Sequence, residues 1–520
     1  MCGIWCCVGK IDNDLMMRCL KTLEARGPEG TRVLNLGDVA QLGFTRLAIN
    51  GLNEAGMQPM ERDQLAWVCN GEIYNWKELE RQYGIFTKSG SDCEIIGELY
   101  EKFCELEIPI EEFFRALDGV FALIIVDKKR DRIVVGRDPY GVRPLYTVKN
   151  RFFGSEMKSL TEIDIPEAFL PGHYMILKGG VTVTYAAYHE IPFLKNPLFS
   201  CELEARKAVR TAFTEAVNKR LMTDRKDIAV TLSGGLDSSL VAAVAAKARR
   251  KRGLQPIQTF SIGMRGSKDL FYAKKVAEHI GSIHTEIIMT AEEFFAAIPF
   301  VIRDIESYDT TSVRASVGNW LVAKYIREKS DCKIVLNGDG SDEVWGSYLY
   351  FKSAPSDHAY EAEVTRLLKD IHMFDVLRSD RSISSHGLEP RTPFLDRQFV
   401  AVARSVPTEF RRPKDCPEKC LLRRAFEGTG LLPHDVLWRQ KEAFSDGVSG
   451  PEKSWYEITQ DMAREIVGDQ APTPEKFYYR KLFVEFYGEA NMHVNVPYFW
   501  MPKWSPGATD PSARTLAVYK

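Results

Sequence analysis

At 520 residues the chain exceeds what one hydrophobic core serves, and its 45% hydrophobic and 27% charged residues describe an ordinary globular protein of two or three domains. With 69 basic against 71 acidic residues the formal net charge is −2, which excludes the strong positive field of a nucleic-acid or anionic-membrane binder and points to small-molecule substrates. No basic n-region with a long apolar stretch opens the sequence and no run of about 18 apolar residues occurs, so a soluble, cytoplasmic protein is expected.

The chain begins MCGIWCC. A terminus is ordinarily frayed, so an oxidisable, hydrophobic residue at position 2 is a poor structural choice. Met1 precedes a small residue and is expected to be trimmed, which would leave Cys2 carrying both a thiol and a free α-amine, a reactive unit. Cys6 and Cys7 read as buried small hydrophobes. The eleven cysteines, an odd number without paired spacing, read as reduced thiols. The C-P-E-K-C stretch at Cys416 and Cys420 lacks the second ligand pair of a zinc site.

The first ~190 residues are β-rich with intervening helices. Leu15, Met16, Cys19, Leu20 and Leu23 recur at helical spacing, as do Ile95, Ile96, Leu99 and Phe103. FALIIVDKKRDRIVVGRD predicts two strands joined by a charged turn, and HYMILKGGVTVTYAAYH a hairpin around Gly179 and Gly180. The stretch EIPFLKNPLFS reads as a linker, followed by a long amphipathic helix from SCELEARKAVRTAFTEAVNKRLM. A boundary therefore falls near 195–203, giving an α+β layered domain over 1–195 and a second domain over 203–520. In the second, DIAVTL, SGGLDSS, LVAAVAAKARRK, IQTFSIG, a helix and IHTEII alternate strand and helix. That pattern predicts a parallel α/β sheet with its ligand site at the carboxyl ends of strands. From about 290 onward the chain reads mostly helical.

TLSGGLDSSL leaves an apolar strand and enters a helix, so its backbone N–H groups and the helix dipole form an anion site that two glycines let phosphate approach. Ser233, Ser238 and Ser239 add donors. The missing lysine excludes a Walker A loop, and Asp237 beside pyrophosphate fits a magnesium-bound nucleotide. The same pattern also suits an ordinary strand-to-helix turn with an N-cap.

SGGLDSS after a strand resembles the pyrophosphate loop of enzymes that split ATP to AMP and pyrophosphate, and MCGIW resembles an N-terminal-nucleophile glutamine amidotransferase. In this order they resemble the glutamine-dependent asparagine synthetases. NGEIYN at 70–75, GRDPYGVRPLY at 136–146, NKRLMTDR at 218–225, RTPFLD at 391–396 and RQKEAFSDGV at 439–448 match in register, and the likeness runs on to WSPGATDPSARTLAVYK. The resemblance implies an αββα N-terminal-nucleophile (Ntn) glutaminase domain. It also implies a doubly wound, parallel-sheet ATP-pyrophosphatase domain with a helical C-terminal part.

On this resemblance the Cys2 amine, with an ordinary pKa of about 7.7–8.0, takes the thiol proton, and the thiolate attacks glutamine. Asn70 and the Gly71 N–H would hold the oxyanion, and Arg46 the glutamine carboxylate. Glu72 and Asp92 would lie near its amine, with Leu47, Ala48, Ile49 and Asn50 giving backbone contacts. Without the resemblance, Arg46 and Asp92 read as solvated surface charges. Ser233, Gly234, Gly235, Asp237 and Ser238 would hold pyrophosphate, with Asp237 and Asp342 on Mg²⁺. Thr231, Leu232, Ile262, Asn337 and Gly338 would line the nucleotide. Lys441 would neutralise phosphate, and Thr311, Arg314, Asp339 and Asp375 would lie near aspartate or its adenylate. GRDPYGVRPLY and GSEMKSL match the lining of an interdomain ammonia tunnel, and the family implies a homodimer.

The sequence departs from the family pattern at Ala25, Glu29, Thr45, Asn337, Asp339, Pro390, Thr392 and Cys420. Asp339 stands where a glutamate is usual, its carboxylate one C–C bond shorter, or about 1.5 Å. Two other readings stand beside a glutamine-dependent asparagine synthetase: a related adenylating enzyme acting on another carboxylate, and a degenerate, non-enzymatic homologue.

Overall fold

The computed structural model describes residues 1–192, 198–412, 416–441, 447–450, 453–505 and 510–511. The middle of the expected linker (193–197), part of RQKEAFSDGV (442–446) and most of the C-terminal motif (506–509, 512–520) lie outside the described residues.

The first half holds twelve strands. They are β1 (Gly3–Val8), β2 (Thr31–Asn35), β3 (Ala40–Thr45), β4 (Met60–Arg62), β5 (Leu65–Ile73) and β6 (Gly119–Asp127). After them come β7 (Arg132–Arg137), β8 (Tyr146–Val148), β9 (Phe152–Gly154), β10 (Glu167–Ala168), β11 (His173–Lys178) and β12 (Val181–Ala187). They form two six-stranded sheets, ordered β10-β8-β9-β1-β3-β2 and β12-β11-β7-β6-β5-β4. The pairings within both are antiparallel. Ile4, Cys6, Leu42 and Phe44 of one sheet meet Val68, Ile124, Val126 and Val135 of the other in one core. The opposite face of β5 and β6 presents Trp67, Cys69, Phe121 and Leu123 to the helix Glu94–Glu105 through Leu99 and Tyr100. Trp5 and Cys7 of β1 face the helix Asn13–Lys21 through Met16, Cys19 and Leu20. The central strands are thus buried on both faces while edge strands β2 and β12 keep alternate residues exposed, in the helix–sheet–sheet–helix layering expected. Both predicted hairpins are present, the second turning at Gly179 and Gly180 with φ of 53° and 77°, where a two-residue turn needs left-handed backbone.

The second half is built on a five-stranded sheet ordered β15-β14-β13-β16-β17, wholly parallel. Its strands are β13 (Ile228–Thr231), β14 (Gln258–Gly263), β15 (Ile283–Ile288), β16 (Ile334–Leu336) and β17 (Glu389–Arg391). Beyond 290 the described residues are mostly helical, as expected, with β16 and β17 as short additions: each is three residues long, too short to show a period, β16 forming on the edge of β13 and β17 on the edge of β16. The chain runs outward from β13 to β14 and β15, then crosses back to β16 on the other side of β13, so the sheet's topological switch point lies between the β13 and β16 ends. Among the described residues no helix is long and apolar enough to cross a membrane.

Nine cysteines are free, with Cys6 and Cys7 fully buried, but Cys416 and Cys420 are joined by a disulfide. This corrects the reading of all eleven as thiols, and a pair four residues apart closes locally without any wider framework.

The two halves meet across a buried ionic seam. Arg26, 1% exposed, places Nη1 2.6 Å from Glu156 and 2.7 Å from Asp380, while its Nε donates to the Cys2 carbonyl at 3.1 Å. Removing one partner of such a network strands buried charge, at a cost of about 3–5 kcal/mol. Arg26→Ala is therefore expected to lower stability by about that amount in chemical denaturation, with Arg26→Lys recovering part of it; a loss below about 1 kcal/mol would contradict the assignment.

Candidate active sites

The first site gathers at the end of β1. The Leu47 N–H donates to Cys2 Sγ at 3.4 Å and the thiol reaches back to the Leu47 carbonyl at 3.5 Å. Met1 is buried, its ammonium donating to the Leu388 carbonyl at 3.0 Å. Cys2 follows it at the entry to β1. Burial pushes its thiol up to about 11 and the Met1 ammonium down to about 5.

Arg46 and Asp92 are buried, at 8% and 3% exposure, so the surface-charge reading fails for both. Arg46 donates to the carbonyls of Gly51 (2.6 Å) and Asn53 (2.9 Å), folding its own loop into a cup. Gly56 permits this, since a Cβ there would lie 2.2 Å from the Gly51 oxygen. Asn50 Nδ2 donates to Glu72 (2.7 Å) and Asp92 (3.2 Å), and Asp92 accepts from the Ile73 N–H at 2.7 Å. Burial raises Asp92 to about 6, and burial beside Asp92 lifts Glu72 well above the carboxylate range. On the same face of β5 as Glu72 lies Asn70, fully buried, with neither amide atom partnered. A buried amide left unpaired is costly and marks a group held for a guest. Gly71 admits the close approach of β6, where a Cβ would meet the Val120 oxygen at 2.2 Å.

Several motifs act as clamps on this loop. The Ala48 carbonyl accepts from Arg225 Nε (2.8 Å), the Ile49 carbonyl from the Asp224 N–H (3.1 Å), and the Gly51 N–H donates to Asp224 (2.8 Å). Glu29, a departure from the family pattern, accepts from the Ala48 N–H (2.7 Å) and pairs with Arg225 (2.9 Å). Thr45 is buried with its hydroxyl on the Leu23 carbonyl at 3.2 Å, and Ala25 is exposed.

The second site is a cavity of about 290 Å³ at the switch point. Every residue expected to contact nucleotide or aspartate lines it except Gly234. Gly234 shapes the turn with φ 70°, and a Cβ there would strike the Ala273 nitrogen at 2.4 Å. Ser238 Oγ lies 3.2 Å from the Ser233 N–H and 3.0 Å from its hydroxyl, ordering the loop before the helix Leu236–Lys251. The β16 loop presses onto that helix through Gly338, where a Cβ would come within 2.9 Å of Asp237 and of the Ser238 nitrogen.

Asp237 and Asp342 are thereby brought together around one ammonium, that of Lys419, at 2.5 and 2.7 Å. Lys441 also pairs with Asp342, and the two lysines hold that carboxyl well below its usual range. Lys419 was not anticipated: it sits between two cysteines, in a stretch with no glycine or periodicity to mark it. The Asn337 side chain donates to Ser379 Oγ at 2.7 Å. Asp339 pairs with Arg378 at 3.0 Å while its Oδ2 has no partner, and burial raises it above the ordinary range. Asp375 pairs with the same Arg378 at 2.7 Å, and the buried Thr311 hydroxyl is unpartnered. Arg314 lines the cavity, but its donors are taken up by Glu475 (2.7 Å from Nε) and Asp510 (2.9 and 3.0 Å), so the position near aspartate expected of it is at present filled by the chain's own carboxylates.

Residues 1–182 match the family model for a glutamine amidotransferase domain, and residues 208–365 and 354–510 match that for asparagine synthase. The chain is 43% identical over 567 residues to the glutamine-hydrolyzing asparagine synthetase of Gallus gallus, covering 100% of this chain and 99% of that protein. With those of Cricetulus griseus and Homo sapiens it shares 42% identity over 570 and 568 residues, at the same coverage. The chain belongs to the glutamine-hydrolyzing asparagine synthetase family.

Proposed function

We propose that the chain makes asparagine and glutamate from aspartate, glutamine, ATP and water, releasing AMP and pyrophosphate, with residues 1–195 and 203–520 as its two catalytic domains. The observation that carries this reading is the pairing, in one chain, of a buried cysteine site holding an unpartnered Asn70 amide with a switch-point cavity holding Asp237 and Asp342.

In the first site, loss of Met1 transfers the free amine to Cys2, where it takes the thiol proton. The thiolate attacks the glutamine side-chain carbonyl. Asn70 Nδ2 and the Gly71 N–H stabilise the tetrahedral oxyanion, which collapses to a glutamyl thioester as ammonia leaves; water then hydrolyses the thioester. The Arg46 cup receives the α-carboxylate, and Glu72 with Asp92 receives the α-ammonium.

In the second, the loop Ser233–Ser238 holds the β- and γ-phosphates while the aspartate β-carboxylate attacks the α-phosphorus, and Lys441 offsets the charge that develops. The residues fit Mg²⁺: two carboxylates that now share the Lys419 ammonium supply the one or two protein oxygens the ion usually takes beside substrate phosphates, and among the described residues no cluster of three or more His, Cys, Asp or Glu provides a self-sufficient metal site. Asp237 and Asp342 would hold the ion, which would supply charge neutralisation for the departing phosphates. Ammonia then captures the β-aspartyl adenylate, with the unpartnered Asp339 Oδ2 placed to accept a proton. Free ammonia is largely protonated at neutral pH, so a sheltered passage past GRDPYGVRPLY and GSEMKSL preserves its nucleophilicity. A cytoplasmic homodimer suits this reading.

Incubation with aspartate, Mg–ATP and amide-labelled glutamine should yield labelled asparagine with AMP and pyrophosphate; ADP and phosphate would exclude the adenylate. Cys2→Ala should abolish glutamine-dependent synthesis and leave ammonium-dependent synthesis within about twofold, because Cys2 acts only in ammonia release. Equal loss of both in a folded variant would contradict the division of labour.

The raised Asp92 carboxyl gives a pH signature. Its folded pKa, about 6, lies above the usual range, so the charge that holds the glutamine ammonium is present above about pH 6 and lost as pH falls through it. Glutamine affinity of Cys2→Ala, measured calorimetrically, should weaken by up to about tenfold per pH unit below that point, and Asp92→Asn should bind more weakly and lose the inflection near pH 6. A flat profile down to pH 5 in the parent would contradict the assignment.

A further inference from the structure

The Cys416–Cys420 disulfide closes a five-residue turn, with Cα atoms 5.9 Å apart, and Lys419 is inside it. Lys419 is a non-glycine residue in left-handed backbone, φ 59° and ψ 32°, immediately before the helix Cys420–Phe426. Its side chain is nonetheless buried and delivered onto both site carboxylates, 2.5 Å from Asp237 and 2.7 Å from Asp342. Glu418, inside the turn, is held twice: its side chain pairs with Lys352 at 3.0 Å, and its carbonyl accepts from Arg423 Nε at 2.7 Å. Left-handed backbone disfavours a side-chain-bearing residue by a factor of about 5–30, so something must hold Lys419 there. The covalent restraint next to it is that disulfide, and Cys420 is a departure from the family's motif.

We propose that the Cys416–Cys420 disulfide is a positioning element of the nucleotide site: it holds the Lys419 turn in the conformation that sets its ammonium on Asp237 and Asp342, so that reduction to the dithiol weakens Mg–ATP binding and leaves glutamine hydrolysis unchanged. The inference rests on the proposed nucleotide role of these two aspartates. With no cation held, a lysine shared by both offsets their mutual repulsion; once the carboxylates hold the cation, an ammonium kept in this turn would meet the phosphate oxygens beside it. Cys416 is half-buried and Cys420 buried, so Cys416 Sγ is the sulfur open to attack. The thiolate of a small dithiol bonds to Cys416 Sγ, the Cys416–Cys420 bond breaks, and Cys420 departs as a thiolate that takes a proton. The reductant's second thiol then displaces Cys416 as a thiol and closes the reductant's own disulfide, a balanced two-electron exchange. The restraint disappears and the Lys419 turn relaxes.

The test uses the full chain, air-oxidised or treated with dithiothreitol, with the state of Cys416 and Cys420 read by peptide mass mapping. Mg–ATP binding is measured calorimetrically without aspartate, and glutaminase activity serves as the control. Reduction should raise the Kd for Mg–ATP about 5- to 30-fold, the weight of the released turn, with glutaminase unchanged. Cys416→Ser, at the more exposed sulfur, should bind like the reduced parent and no longer respond to dithiothreitol. Lys419→Ala should bind weakly in both states. Equal Kd values for oxidised and reduced parent, continued reductant sensitivity of Cys416→Ser, or free thiols at both positions in the oxidised chain would each overturn the proposal while leaving the proposed function standing. No Mg–ATP binding by the oxidised parent would overturn both.

Discussion

The structure depends on a seam of buried charge between its two halves. Arg26, Arg143, Arg381 and Arg391 are each essentially inaccessible and are shared among Glu156, Asp380, Glu306, Glu389 and Glu72. An ion taken from water repays its desolvation only through well-placed partners, so these residues tolerate one relative placement of the halves and no sliding. Arg391 shows the consequence: it pairs with Glu72 beside the glutamine site at 3.3 Å and donates to the carbonyls of Arg220 and Met222 at 2.6 Å, just ahead of the Thr223–Arg225 clamp. Arg26 likewise holds the Cys2 carbonyl and Asp380 at once.

The seam also takes in a motif of the first half. Arg143 comes from GRDPYGVRPLY, whose turn is built by Asp138 accepting the N–H groups of Tyr140, Val142 and Arg143 at 3.1, 2.9 and 2.8 Å. Its guanidinium bonds the Pro390 carbonyl at 3.2 Å, while Nε and Nη2 have no hydrogen-bond partner.

Legibility in the sequence followed locality. SGGLDSS and the stretch from Asn337 to Asp342 each occupy one strand–loop–helix passage, so their glycines, hydroxyls and carboxylates were readable in place, as were the hairpins β6–β7 and β11–β12. Strands β16 and β17 were not, because three-residue segments buried by parallel pairing carry no period. Residues that act from a distance were equally silent. Lys419 reaches Asp237 across 182 positions, and Arg225 clasps Ala48 across 177. The motif NKRLMTDR was visible as a match but its task as a clamp was not. Arg314 was readable as a member of the cavity, whereas its occupation by Glu475 and Asp510 depends on C-terminal packing. The disulfide was missed because an odd cysteine count says nothing about one close pair.

The central claim is that two chemistries in one rigid chain exchange ammonia without releasing it to solvent. It is tested most directly by supplying glutamine labelled with ¹⁵N at the side-chain amide, together with unlabelled ammonium in excess, and measuring the isotope content of the asparagine formed by mass spectrometry. Retention of the label at nearly full enrichment, whatever the ammonium concentration, is the predicted result. Dilution of the label in proportion to added ammonium, with glutaminase and synthetase rates intact, would contradict the account.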